Sequence, residues 1–489
     1  MTRRQRRLLE IIPGFVTWNV ILFLMWGGYF LPEITAYFIL AFDVFWVYKG
    51  LTVTITVLLT HFRMRAAEHL DWLREARGFG DWEKVRHVII ILVANEPVEI
   101  YKKTLIALTQ QTVPLKNLAV VMATEERYPH GAFECEGLRT ELGNKFGTFL
   151  VTVHPANIPG EIRGKSSNEA WAARLAKKIL VDEMGWNIDL LTITSNDSDA
   201  ILHPQYFACL TYKFLDDPHR YERFWQPVIM FYNNIWRLPA ATRVVNTFST
   251  LWSMGLQSRK DRLVSFSCYS TAFKTLVEVG YWDTDVIPED YRIFFKTFFK
   301  LGGRVEVEPI FLQSSQDAAE STSAWKTFVN DYKQKQRWAW GVSDIPLFVE
   351  MYLKHRGGSW INKTLRLLRV VEDHLLWPVN WFVVTAGVSI STLVNPNFGR
   401  TNIGFMLPKI SSGILSITLI FLVILLIVDM RRRPLRPEHF PKWRAWLTPL
   451  EFVMMPVVGF FFSALPGLDA HTRLMLGKYL EYRITEKVK

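Results

Sequence analysis

Leu190-Leu191-Thr192-Ile193-Thr194-Ser195-Asn196-Asp197-Ser198-Asp199 is the stretch that decides the fold. Its first six residues form a short apolar run rich in β-branched side chains, which suits a buried strand. Two similar runs precede it, His87-Val88-Ile89-Ile90-Ile91-Leu92-Val93-Ala94 and residues 117–123 (NLAVVMA). Helical patterns lie between them. Strands that alternate with helices predict an α/β domain with a mainly parallel sheet. Such sheets bind ligands beyond the carboxyl ends of their strands, and that is where Asp197 and Asp199 fall. There is no internal repeat and no low-complexity tract.

Outward from this core, residues 62–371 contain no apolar run long enough to cross a bilayer, whereas both flanks do. Residues 12–31 and 34–60 each exceed the roughly 20 residues a helix needs to cross a hydrocarbon layer about 30 Å thick. They read as a hairpin with both ends cytoplasmic. A cleaved leader fits residues 12–31 less well, because the apolar part is long and no small-residue cleavage site follows. Residues 374–394 and 411–429 read as two further spans. Residues 448–466 are broken by Pro449, Pro456, Gly459 and Pro466. If they span, the basic tail (Arg473, Lys478, Arg483, Lys487, Lys489) lies outside, against the positive-inside rule. A re-entrant or broken helix is the alternative.

Asp43 and Lys49 fall within the second apolar run, where charge is costly. They read either as the polar lining of a translocation path or as structural contacts, with Lys49 snorkelling. Residues 221–256 and 345–369 combine aromatic and basic side chains. Such stretches suit helices lying in the membrane interface, with core packing as the alternative. The expected division is a transmembrane hairpin (1–61), a cytoplasmic catalytic domain (62–345), an interfacial region (346–371) and a C-terminal membrane region with a basic tail (372–489).

The composition agrees with this division. The chain has 489 residues, 49% of them hydrophobic, with 19 Trp and 34 Phe, yet 21% are charged. The formal net charge is +11, and the basic clusters (Arg3, Arg4, Arg6, Arg7; Arg431, Arg432, Arg433, Arg436) adjoin apolar runs. That placement fits a cytoplasmic membrane face rather than nucleic acid, for which no recognition motif is present. Cys135, Cys209 and Cys268 match no zinc or redox spacing.

Three clusters carry candidate chemistry. Asp197 and Asp199 offer hard oxygen ligands of the kind Mg²⁺ or Mn²⁺ shares with a diphosphate. Glu289 and Asp290 follow Pro288 at the start of a helical run, where acidic residues also serve as caps. Gln334, Arg337 and Trp338 share one helix face by i, i+3, i+4 spacing. That face presents a guanidinium for a diphosphate and an aromatic plate for a sugar ring.

The order Asp-x-Asp, Glu-Asp, Gln-x-x-Arg-Trp, followed by apolar spans, resembles the processive, membrane-integrated family 2 glycosyltransferases: the cellulose, chitin and hyaluronan synthases. The resemblance covers residues 85–345 in motif order. It implies an α/β glycosyltransferase A-type domain inserted between transmembrane helices, with interfacial amphipathic helices. By this resemblance Asp199, helped by Asp197, places the metal and the nucleotide diphosphate. Asp290, with Glu289 beside it, is the general base for the acceptor hydroxyl. Arg337 and Trp338 hold the diphosphate and cap the acceptor site, with Gln334 next to them. Lys165, in Arg163-Gly164-Lys165, matches the family's Gly-Lys segment, and Asn95 and Glu96 match the polar end of its first strand.

Two segments depart from the family. Met122-Ala123-Thr124-Glu125-Glu126 stands where the family has an Asp-Asp-Gly type segment, with Glu125 as a replacement for the Asp. Ser265-Phe266-Ser267-Cys268-Tyr269-Ser270 replaces its small-residue acceptor loop. The implied reaction is inverting transfer from a nucleotide-sugar, such as a UDP-sugar, to a growing glycan at the cytoplasmic face of the plasma membrane, with polymer translocation. Transfer of one sugar to a lipid acceptor is the nearer alternative. A non-catalytic transporter or scaffold with a degenerate transferase domain is the alternative of another class. Membrane lipids are expected contacts, and the sequence names no protein partner.

Overall fold

The computed structural model describes residues 1–355, 357–438, 441, 443 and 447–481. Arg483, Lys487 and Lys489 of the basic tail lie outside the described residues.

The runs read from sequence become the first strands of one sheet. They are β1 (Arg86–Leu92), β2 (Leu118–Glu125), β3 (Thr148–His154) and β4 (Leu191–Asp197). β1 pairs in parallel with β2 and β4, and β2 in parallel with β3. Helices cover both faces, so every residue of β2 is buried and the strands read as continuous apolar runs. The sheet is completed by β5 (Ile201–Leu202), β6 (Arg223–Met230), β7 (Tyr269–Ala272) and β8 (Glu306–Ser315). The order is β3-β2-β1-β4-β7-β6-β8-β5. β7 is antiparallel to both β4 and β6, while β6 and β8 are parallel. The result is a mixed, largely parallel sheet between helices, set among long apolar helices, as the sequence pattern predicts.

Among the described residues, five helices are long and apolar enough to cross a membrane: Arg3–Phe30 (α1), Pro32–His69 (α2), Trp360–Val394, Asn402–Arg432 and Thr448–Leu476. Pro32 follows the end of α1 and starts α2, a position where its missing N–H costs nothing. Gly28 allows α1 to approach Trp360–Val394 closely, since a Cβ there would lie 3.0 Å from Ser391 Cα.

α2 runs through the expected boundary at residue 61. Its 38 residues correspond to about 57 Å, nearly twice the ~30 Å hydrocarbon core. The C-terminal turns enter the core of the sheet domain. Val57, Met64 and Ala67 pack there, and the Thr60 hydroxyl donates to Met254 O at 2.8 Å. Arg432, at the end of Asn402–Arg432, donates to His61 O at 2.8 Å and pairs with Glu68 at 2.6 Å.

Asp43 and Lys49 act as contacts between helices. Ser411 donates to Asp43 Oδ2 at 2.6 Å, and Lys49 pairs with Glu372. Residues 221–256 are not one interfacial helix. Phe224 and Trp225 lie in β6, each 1% exposed, because they fill the core, whereas Trp252 on the following helix is 55% exposed. Residues 345–369 comprise the helix Ile345–Lys354 and the start of Trp360–Val394.

Thr448–Leu476 is a chain of 3₁₀, α and π turns, as its prolines dictate. It lies between the sheet domain and the helix Trp360–Val394, where Trp381 Nε1 donates to Pro456 O at 2.7 Å and the Trp381 and Phe460 ring centroids lie 4.5 Å apart. Glu451 pairs with Arg243, Phe462 meets Phe328 at 5.9 Å between ring centroids, and Asp469 accepts from Gln336. Its last turns also pack on α1, where Thr17 Oγ1 and His471 Nδ1 lie 3.0 Å apart.

Candidate active site

The carboxyl ends of β1, β2 and β4 lie on one edge of the sheet, and most of the sequence-predicted residues gather there. In register, Leu92 of β1 stands beside Asp197 of β4. Just past β1, Glu96 turns back and accepts from Ala94 N at 2.8 Å. Glu125 closes β2, where burial pushes its carboxyl up and Arg127, His154 and Arg163 oppose that push.

The helix α3 (Lys165–Ala176) delivers the central cation. Gly164 precedes it at φ +139°, a region nearly closed to residues with a side chain. Asn168 ties the first turn to the sheet by donating to Ala123 O at 2.9 Å. Lys165 Nζ then lies 3.0 Å from Asp197 Oδ1, 3.0 Å from Glu289 Oε1 and 3.1 Å from Ser267 O. Burial opposes the ammonium charge. Asp197, Glu289, Glu169 and Asp290 outweigh that and hold its pKa well above the ordinary lysine value. Burial also pushes the carboxyls of Glu289 and Glu169 up.

Gly164→Ala is therefore expected to displace Lys165. Occupying a glycine-only backbone region costs about 1–3 kcal/mol, so the melting temperature falls and the KM for a nucleotide-sugar rises. Thermal melting and donor saturation curves check both.

Glu289 and Asp290 open the helix α4 (Glu289–Lys300). They do more than cap it, since Glu289 reaches Lys165. Asp290 Oδ2 accepts from Ser267 N at 2.7 Å, and Oδ1 accepts from Tyr291 N at 2.8 Å. Ser267 links the two acidic clusters. Its hydroxyl donates to Asp197 Oδ2 at 2.8 Å and accepts from Gln316 Nε2 at 2.7 Å. Its φ of +59° is uncommon for a residue with a side chain.

Asp199 is held from another direction. Asp317 N donates to its Oδ2 at 3.0 Å, and Asn233 Nδ2 donates to its backbone O at 3.2 Å. Asp197 thus spends both oxygens on Lys165 and Ser267. Among the described residues no group of three or more His, Cys, Asp or Glu forms a metal cage. Mg²⁺ needs no such cage: it is usually held by one or two carboxylates plus substrate phosphates and water. Asp199 fits that pattern.

Gln334, Arg337 and Trp338 lie on the helix α5 (Ala324–Ala339). Trp338 packs on Phe231 with ring centroids 5.8 Å apart, two residues before the Asn233 that holds Asp199. The side chains of Asn95 and Gln334 make no hydrogen bond among the described residues, and neither contacts the carboxylate cluster.

Ser267, Glu169, Asn233 and Asp317 are the participants that sequence reasoning missed. Asp317 gave the clearest signal, as an acidic residue just beyond a strand. The unusual segment 265–270 marked the place of Ser267 without revealing its role. Tyr269 in that segment points inward, its hydroxyl accepting from Trp282 Nε1 at 2.6 Å.

No curated protein sequence matches the chain. Among solved structures, the chain is similar to the mannosyltransferase PcManGT from Pyrobaculum calidifontis, in complex with GDP-Man and Mn²⁺. Identity is 14%, the TM-score is 0.40, and 77% of this chain and 99% of that chain are covered. It is also similar to S. aureus TarS 1-349 in complex with UDP-GlcNAc, at 12% identity and a TM-score of 0.36, covering 82% and 94%. Residues 192–428, just under half of the chain, run from β4 through the Asp-x-Asp, Glu-Asp and Gln-x-x-Arg-Trp segments into the long apolar helices; they match the model of glycosyl transferase family group 2, and this match supports a family 2 glycosyltransferase.

Proposed function

We propose that the chain transfers a sugar, with inversion, from a nucleotide-sugar such as a UDP-sugar to a glycan at the cytoplasmic membrane face. The observation that carries this reading is the convergence of Lys165, Asp197, Glu289 and Asp290 at the carboxyl edge of the sheet, with Ser267 as the link. Asp290 accepts the proton of the acceptor hydroxyl as that oxygen attacks the anomeric carbon. Lys165 and Arg337 balance the charge that collects on the leaving diphosphate. Mg²⁺ or Mn²⁺, held by Asp199, adds Lewis-acid stabilisation of that charge when bound. The bond to the diphosphate breaks as the glycosidic bond forms, so one displacement inverts the anomeric centre.

The Gln-x-x-Arg-Trp segment and the adjoining apolar helices favour polymer elongation over transfer of one sugar. Membranes containing the protein, given a panel of UDP-sugars with Mg²⁺ or Mn²⁺, are expected to make long products, and EDTA is expected to stop them. Product sizing by gel filtration checks this. A single added sugar on lipid would replace elongation with the simpler transfer.

The reading carries a topology of four spans, with Thr448–Leu476 lying along the cytoplasmic surface. Its contacts with Arg243, Phe328 and Gln336 support this, and it keeps the basic tail inside. A membrane-impermeant thiol reagent should label Lys478→Cys from the same side as Lys84→Cys, and Asn397→Cys from the other. Labelling of Lys478→Cys together with Asn397→Cys would make the segment a fifth span.

A further inference from the structure

The seam between α5 (Ala324–Ala339) and the helix Ala240–Gln257 is polar where two packed helices ordinarily meet through carbon. Asp331, Lys335 and Trp338 stand on one face of α5 by i, i+4, i+7 spacing, and Thr242, Asn246 and Ser249 share one face of the other helix by the same rule. Asp331 is fully buried, with the side chains of Thr242 and Asn246 as its polar neighbours. Lys335 is buried as well. Its Nζ donates to Ser249 Oγ at 2.8 Å and stands 3.6 Å from the centroid of the Trp338 ring. Phe231 packs on the same indole.

We propose that Lys335 is a positioning residue that fixes the Trp338 indole as a wall of the acceptor subsite, with Asp331 one helical turn away as the nearby opposite charge. This rests on the transferase reading above, in which Trp338 meets the acceptor. A buried ammonium is expensive unless paired, and an apolar side chain of equal length would pack in this seam without that cost. What the charge adds is direction: a desolvated cation over an indole is strongly attracted to the ring face. Ser249 holds the ammonium by a hydrogen bond, the charge of Asp331 opposes the downward push of burial on its pKa, and the ammonium holds the ring. Trp338 is only partly buried, so ring surface is left for the C–H face of a sugar.

The test reads Trp338 directly and by kinetics. In protein carrying 5-fluorotryptophan, the fluorine resonance of Trp338 is identified by its loss in Trp338→Phe. Lys335→Met should shift that resonance and Lys335→Arg should return it. With the best donor of the UDP-sugar panel and octyl β-D-glucoside as the acceptor probe, Lys335→Met should raise the acceptor KM about tenfold, with kcat within about twofold. Lys335→Arg should restore the KM. Because Lys335→Met leaves Asp331 buried without that nearby opposite charge, the double variant Lys335→Met/Asp331→Asn is read in the same way. A Trp338 resonance that stays in place, or an unchanged acceptor KM in the folded double variant, overturns the proposal. If the wild type turns over no donor, the transferase reading fails, and the resonance alone then decides whether Lys335 sets the indole.

Discussion

Asp290→Asn is expected to lower the rate of sugar transfer about 10²–10⁴-fold, the range a positioned general base supplies. The amide keeps the size of the side chain but cannot take a proton from the acceptor hydroxyl. Both carboxylate oxygens now accept backbone N–H groups, from Ser267 at 2.7 Å and Tyr291 at 2.8 Å. An amide has only one acceptor oxygen, so its NH₂ must face one of these donors. A modest loss of stability, about 1–3 kcal/mol, therefore accompanies the loss of rate. The donor KM should stay near its original value, because the role proposed for Asp290 is at the acceptor and not at the diphosphate. Single-turnover kinetics, donor saturation and thermal melting separate these effects. A large rise in donor KM with kcat preserved would move Asp290 to donor binding.

Lys165→Met is expected to be nearly as damaging, through charge. Lys165 is the cation among Asp197, Glu289, Glu169 and Asp290. Without it the departing diphosphate loses a preorganised partner, and transfer should fall about 10²–10³-fold. Breaking a buried ion pair costs about 3–5 kcal/mol, because the remaining charge is left uncompensated. The loss should depend on pH. Burial already raises the Glu289 and Glu169 carboxyls above the ordinary glutamate value, and removing Lys165 raises them further. Groups raised on folding contribute stability at pH values below the ordinary glutamate pKa and lose it as pH rises through the folded value. The gap in melting temperature between wild type and Lys165→Met should therefore be wider at pH 8.5 than at pH 5.5. An equal gap at both values would mean that Lys165 does not set the charge state of this cluster.

Much of this arrangement was legible in the sequence, for identifiable reasons. β1, β2 and β4 announce themselves as β-branched runs because both faces of a parallel strand are buried. Asp197, Asp199, Glu289 and Asp290 were visible because each follows a strand or opens a helix, where side chains reach a ligand. The long extension of α2 was not visible. His61-Phe62-Arg63-Met64-Arg65 is too charged to read as a span, yet one face of it packs in the core while the arginines stay out. Ser267 could not be assigned a role because its contacts reach Asp197 and Gln316 across the chain. Its left-handed backbone also has no signature in a residue that is not glycine. Nothing in the sequence marks Lys335 and Asp331 as interior; the helix Ala240–Gln257 packed against them makes them so. Residues 448–476 could not be placed by hydropathy, since packing on protein and crossing lipid call for the same apolar side chains.

The most direct test of the central claim is nucleoside diphosphate released from a panel of nucleotide-sugars by membranes containing the wild-type chain or Asp290→Asn, at equal amounts of folded protein. Release from at least one donor by the wild type, reduced at least about a hundredfold in the variant, is the expected result. Equal release from both chains, or none from the wild type with any donor and either metal, would contradict a transferase centred on Asp290.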